Sequence, residues 1–154
     1  MTILFRNEQK KLKVNTRLLK KRIQQILENL GLQNSEISIL LVTDAKIRKL
    51  NAQYRNIDKP TDVLSFPQDN DGLDELDIHL LGDVVISVET AKRQAREHGH
   101  TFSEELTLLL IHGILHLTGL DHERSSKEAK QMRQKTNILF QEIFNKSVGD
   151  CNYW

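Results

Sequence analysis

The hydrophobic positions of the chain change period several times, and each change marks an element. Between Thr16 and Leu30, Leu19, Ile23, Ile26, Leu27 and Leu30 fall at helical spacing and share one face, with Asn15 placed to cap the helix and Gly31 to end it. Ile37 to Val42 is a β-branched apolar run of the kind a buried strand needs. A shorter helix is expected from Asp44 to about Tyr54, with Ile47, Leu50 and Tyr54 inward, and after the Asp58-Lys59-Pro60 turn a strand at 62–66. Leu80 to Val88 reads as another strand, Thr2 to Arg6 as a further one, and residues 67–78 as an acidic loop. The rest is helical, at about 87–98, 102–118 and 126–144, the last two opened by the capping boxes Thr101-x-x-Glu104 and Ser125-x-x-Glu128. The pattern predicts an α+β fold: a small mixed sheet of about four strands covered by helices, in one domain over residues 1–154.

Composition leaves that picture intact and adds a charge asymmetry. The 154 residues are 38% apolar and 28% charged, within the ordinary globular range, with a net charge of only +1. Residues 1–60 carry 13 Lys/Arg against 5 Asp/Glu, residues 61–90 none against 8, and residues 91–154 9 against 8. Most of the first excess lies in Arg6, Lys10, Lys11, Lys13, Arg17, Lys20, Lys21 and Arg22, a run that is either a solvated face or a stripe for phosphates. The acidic stretch from Asp69 to Asp77 does not fit an EF-hand, because Gly72 is the fourth residue of the loop where the sixth is required. Cys151 is the single cysteine, an incidental thiol in a loose tail, so no intrachain disulfide forms and a reducing, cytoplasmic setting is expected. Met1 to Lys13 is not a signal peptide, and the weakly charged run 106–120 is too short to span a bilayer, so no membrane is expected.

The chemistry concentrates in His112-Gly-Ile-Leu-His116-Leu-Thr-Gly119-Leu-Asp-His122. His112 and His116 stand one helical turn apart on one face, close enough for two imidazoles to reach one ion. Gly119 lets the backbone leave the helix in a left-handed conformation and return His122 toward the same point. A lone His-x-x-x-His on an apolar helix is more often two packed histidines, but the glycine and the third histidine make a metal site the better reading. Three neutral nitrogen donors with an open fourth position describe catalytic zinc, although imidazole also accepts nickel, copper or iron. The spacing matches the zinc-protease helix H-E-x-x-H-x-x-G-x-x-H except that Gly113 replaces the glutamate serving as general base, so the metal scaffold is present without the peptidase chemistry. His79, His98 and His100 read as surface or helix-end residues rather than as ligands.

The segment His112 to His122 resembles the signature of the YbeY family, bacterial zinc-dependent endoribonucleases of ribosomal RNA maturation. Asn51 to Pro67, with Arg55, Asp58, Thr61 and Asp62, and Leu81-Gly-Asp-Val-Val-Ile-Ser87 are similar to two other recurrent blocks of that family, so the resemblance covers essentially the whole chain. Leu120 departs from it where an aromatic is expected. The resemblance implies His112, His116 and His122 as ligands of one Zn2+ ion and Arg55 as a catalytic residue. On spacing alone, Arg55 would be a cation at a helix C-terminus, worth about 0.3–1 kcal/mol against the dipole. The resemblance also implies single-stranded RNA as substrate and action on the 3′ end of 16S ribosomal RNA and in ribosome quality control. The partners it implies are the small ribosomal subunit and its assembly factors, not DNA. The general base stays unassigned, with Asp121, Asp62 and Asp83 as carboxylates to consider, and alternatively the RNA's own 2′-hydroxyl attacks while the metal serves only electrostatically. A non-catalytic assembly factor with a structural metal and a zinc hydrolase of another substrate class are the alternatives.

Overall fold

The computed structural model describes residues 1–70, 79–120 and 123–149. Strands β1 (Thr2–Asn7), β2 (Ser35–Val42), β3 (Val63–Pro67) and β4 (His79–Ser87) form one sheet in the order β1-β2-β4-β3. The first three in that row run parallel, and β3 closes the edge antiparallel to β4, from Val63 opposite Ile86 to Pro67 opposite Gly82. Helices α1 (Thr16–Asn29), α2 (Asp44–Arg55), α3 (Val88–His98), α4 (Phe102–Leu117) and α5 (Ser126–Phe144) cover the sheet. The expected α+β architecture and all nine expected elements are present, with ends displaced by one or two residues.

Side-chain alternation sorts the two faces. Ile37, Ile39 and Leu41 of β2 and Val84 and Ile86 of β4 point toward α1, α4 and α5, where Ile23, Ile26, Leu108, Ile111 and Phe140 complete the main core. Val42 and Val85 point the other way, onto Ile47 of α2 and Leu64 of β3. Helix α4 buries 13 of its 16 residues, because it lies between the sheet and its neighbouring helices instead of exposing a polar face. Each fully buried Leu or Ile there contributes about 1.5–3 kcal/mol relative to exposure.

The caps follow the sequence, with one exception. Asn15 accepts from the Leu18 N–H, and the Thr101–Glu104 box is complete in both directions. At α5 only half of the expected box forms. Ser125 accepts from the Glu128 N–H, but the Glu128 carboxylate turns to Arg124 at 3.3 Å instead of reaching back. Gly82 has a structural duty at the sheet edge: with φ at +134°, a Cβ there would come within 2.2 Å of the Phe66 carbonyl oxygen, so only glycine lets β3 pair this closely. Residues 71–78 of the acidic loop, Asp121, His122 and Cys151 lie outside the described residues.

Candidate active site

Helix α4 delivers the histidines to a cleft of about 600 Å3 beneath the edge strand, lined among others by Asn51, Arg55, Ser65, His112, His116 and Leu120. The Nε2 atoms of His112 and His116 are 3.1 Å apart, and the rings meet edge to face with centroids 4.6 Å apart. Two nitrogens bound to one tetrahedral ion at about 2.0–2.1 Å would stand roughly 3.3 Å from each other. The pair therefore fits a shared ion with little adjustment. His112 is 5% exposed, which excludes water from one side of such an ion. Beyond the helix, Gly119 takes the left-handed conformation (φ +99°) that the sequence requires for the chain to turn back. His122, the third expected ligand, lies outside the described residues.

Gly113 now has a reason. A Cβ at this position would lie 2.6 Å from Cγ1 of Val84 and 3.3 Å from the Ser65 hydroxyl, so the helix rests directly on β4 and β3. The Ser65 hydroxyl donates to the Gly113 carbonyl at 3.0 Å and ties the edge strand to α4. The position that carries the peptidase glutamate is used here for backbone packing.

Arg55, the last residue of α2, enters the same cleft. Its Nη2 donates to the Ser65 carbonyl at 2.7 Å, and its guanidinium lies 5.5 Å from the centre of the Phe66 ring. The loop that follows is braced. Asn56 ends the helix in the left-handed region, the buried Asn51 amide donates to the Lys59 carbonyl at 2.9 Å, and Arg48 forks onto Asp58 at 2.9 and 3.2 Å. Asn51 and Ser65 escaped the sequence reading as cleft residues. The available signal was the i, i+4 relation of Asn51 to Arg55, which puts a polar side chain on the inward face of α2. Leu120 stands at the cleft and packs against the main core. Asp62 is occupied locally: it accepts from the Val63 N–H at 2.7 Å and from Gln94 at 3.2 Å.

Two groups of charged residues are held by partners remote in the chain. His98 and His100 are at the α3 end but are not surface residues. His98 Nδ1 is 2.8 Å from the fully buried carboxylate of Glu105, His100 Nδ1 is 4.0 Å from the same oxygen, and His100 Nε2 donates to the Val148 carbonyl at 2.8 Å. Donor atoms of His98, His100 and Glu105 lie within 4.8 Å of one another, so this buried group could hold a metal ion. Its bonds also tie the α3–α4 turn to the segment after α5, where Lys146 pairs with Glu104. Arg22 likewise leaves the basic run. It donates to Ser103 and to Thr107 at 3.2 Å and lies 4.3 Å over the Phe144 ring, and burial pulls its pKa down against the opposing pull of Glu104. Packing of α1 against α4 and α5 brought Ser103, Thr107 and Phe144 to this cation, which spacing along α1 could not indicate.

A mixed sheet with an antiparallel edge strand, laid over a helix that turns paired histidines into a cleft shared with arginine, defines a small α+β protein with a candidate metal-binding cleft. Residues 4–144 match the family model described as Endoribonuclease YbeY. Among curated relatives, Endoribonuclease YbeY of Persephonella marina is 47% identical over 141 residues, covering 92% of each chain. That of Aquifex aeolicus is 46% identical over 134 residues, covering 87% of each. The solution structure of TM1509 from Thermotoga maritima superimposes with a TM-score of 0.65 at 31% identity, over 94% of this chain and 90% of that one. The chain belongs to the endoribonuclease YbeY family.

Proposed function

We propose that this protein is a single-strand-specific, zinc-dependent endoribonuclease of ribosomal RNA processing, acting in the cytoplasm on the 3′ end of 16S RNA and in quality control of the small subunit with its assembly factors. His112, His116 and His122 hold one Zn2+ ion, and Arg55 is the residue that meets the scissile phosphate. The observation that carries this reading is the approach of two Nε2 atoms to 3.1 Å at the wall of a cleft that also contains the Arg55 guanidinium.

A divalent ion held by neutral imidazoles keeps its full charge, which suits a phosphodiester, and supplies Lewis-acid polarisation of a phosphoryl oxygen and activation of water. The protein's own groups do the rest. Arg55 spends one of its five donors on the Ser65 carbonyl and keeps the others for the charge that develops on phosphate. Phe66 beneath it and the braced loop 56–60 fix the direction of the fork. Leu120 offers an apolar wall against which the leaving nucleotide can be desolvated. A peptidase reading has no support from position 113, whose Cβ direction is filled by Val84.

The test compares wild type, His116→Ala and Arg55→Ala on single-stranded RNA, duplex RNA and unfolded protein, with bound metal measured in parallel. Loss of both metal and cleavage is expected for His116→Ala. Arg55→Ala should keep the metal and lose about 10²–10³ in kcat. A 2′,3′-cyclic phosphate among the products would identify the RNA 2′-hydroxyl as the attacking group. Equal residual cleavage by wild type and His116→Ala would refute the assignment, and a chain that melts on chelation yet never cleaves RNA would make the metal structural.

A further inference from the structure

The fold joins one lysine of the basic N-terminal run to the cations of α3 in a site away from the cleft. Lys11, from the loop between β1 and α1, and Lys92, Arg93 and Arg96, from the exposed side of α3, surround a pocket of about 220 Å3 together with Leu12 and Glu89. Two acids lie among the four cations: Glu89 is 3.3 Å from Lys11, and Asp44 is 2.9 Å from Arg93. Among the described residues, Lys92 and Arg96 have no acidic partner, although they stand at i and i+4 on one helix, where like charges repel.

The loop is built to hold its lysines outward. Gln9, 5% exposed, folds its amide back onto its own loop: Nε2 donates to Asn7 Oδ1 and to the Leu12 carbonyl, both at 2.9 Å, and Oε1 accepts from the Leu12 N–H at 3.0 Å. The Glu8 N–H meanwhile donates to the Leu41 carbonyl of β2 at 2.9 Å. Lys10, Lys11 and Lys13 are therefore presented from a braced scaffold, and no backbone ordering is required when an anion binds. Across the width of α3, roughly 10–12 Å, Gln94 donates to Asp62 on the rim of the catalytic cleft at 3.2 Å.

We infer that Lys11, Lys92, Arg93 and Arg96 form a phosphate-binding exosite that holds single-stranded RNA outside the cleft where it is cut. This rests on the endoribonuclease reading above. Contacts at the exosite go to the backbone and carry no sequence preference, so the site adds affinity and orientation for long substrates and nothing for one that ends inside the cleft.

The test uses the full chain and two RNAs, one of about four nucleotides that occupies the cleft and one of about 20 that reaches past it. Lys92→Glu/Arg96→Glu should raise KM for the long RNA at least tenfold and lower its log K against log salt slope by about 1.4, at roughly 0.7 per single-strand phosphate contact. Cleavage of the short RNA should be unchanged. Lys127→Glu/Lys130→Glu on α5 makes the same change in net charge elsewhere and should leave both substrates alone. Equal cleavage of the long RNA by wild type and the α3 variant would overturn the exosite while leaving the enzyme in place. An effect of equal size from the α5 variant would overturn it as a mere net-charge effect. A wild type that cut neither RNA would remove the endoribonuclease reading and the exosite with it.

Discussion

Gly113→Ala tests whether backbone packing of α4 sets the geometry of the proposed site. The added Cβ would stand 2.6 Å from Cγ1 and 3.2 Å from Cγ2 of Val84. Carbon atoms in good contact are about 3.5–4.0 Å apart, so relief takes a displacement of about 1 Å. Val84 is fully buried and, being β-branched, stiff at χ1, so the helix has to give way. Overpacking of this kind costs about 1–3 kcal/mol. Alanine recovers about 1 kcal/mol of helix propensity. The net loss is about 0–2 kcal/mol, a fall in Tm of up to roughly 8 °C for a chain of this length. Function should suffer more than stability. With His112, His116 and Arg55 in their proposed roles, moving the two histidines about 1 Å from Arg55, which is anchored to β3, should cost roughly 100-fold in kcat. Thermal unfolding and RNA cleavage measured on the same preparation check both numbers. Val84→Ala in the Gly113→Ala background should recover part of the loss, because it removes the two methyl groups that clash. Gly113→Glu, which would complete the peptidase pattern, should destabilise the fold and yield no proteolysis. If Gly113→Ala melts higher than wild type and cleaves RNA at the same rate, propensity alone governs the position and the packing argument is wrong.

Other consequences are as concrete. Burial pushes the Asp44 carboxyl up, but hydrogen bonds from Ser87, Thr90 and Arg93 outweigh it and hold the carboxyl below its usual range. The stabilisation this gives is complete above the unfolded pKa of about 3.9 and fades as pH falls through the lower native value. Asp44→Ala should therefore cost about 1.5–3 kcal/mol at pH 7, and the gap between urea melts of variant and wild type should narrow as pH falls below about 4; a gap that stays constant with pH would sink the idea. Thr101→Ala breaks the complete capping box of α4 and should cost about 1 kcal/mol, read as a Tm lower by about 2–4 °C, whereas an unchanged Tm would mean that burial alone fixes that helix end.

How much could be foreseen depends on the range of the interaction concerned. The nine elements were legible because their causes are local: helical spacing in α1, the β-branched run of β2, the Thr101 cap and the left-handed glycine after α4 each act within a few residues. The His112–His116 pair was legible for the same reason, since one helical turn fixes the separation of their Cβ atoms whatever the helix packs against. Arg55 is a different case. Its spacing on α2 indicates a helix-end cation, and only pairing of β3 with β4 brings the Ser65 carbonyl beneath it. The half-formed box at Ser125 was misjudged because a longer-reaching partner, Arg124, competed for the Glu128 carboxylate.

By itself the sequence determined the secondary structure, the α+β class, the histidine pair and the family that its motifs resemble. Those follow from dihedral preference, periodicity and the chemistry of side chains one turn apart. Tertiary structure decided which residues separated in the chain meet: Gly113 against Val84, Arg55 against Ser65, Arg22 against Ser103 and Phe144, His98 against Glu105, Lys11 beside Lys92. Such contacts arise when strands choose their order and helices choose their faces, and that choice is made by burial summed over the whole core. No single segment carries enough of that sum to reveal it.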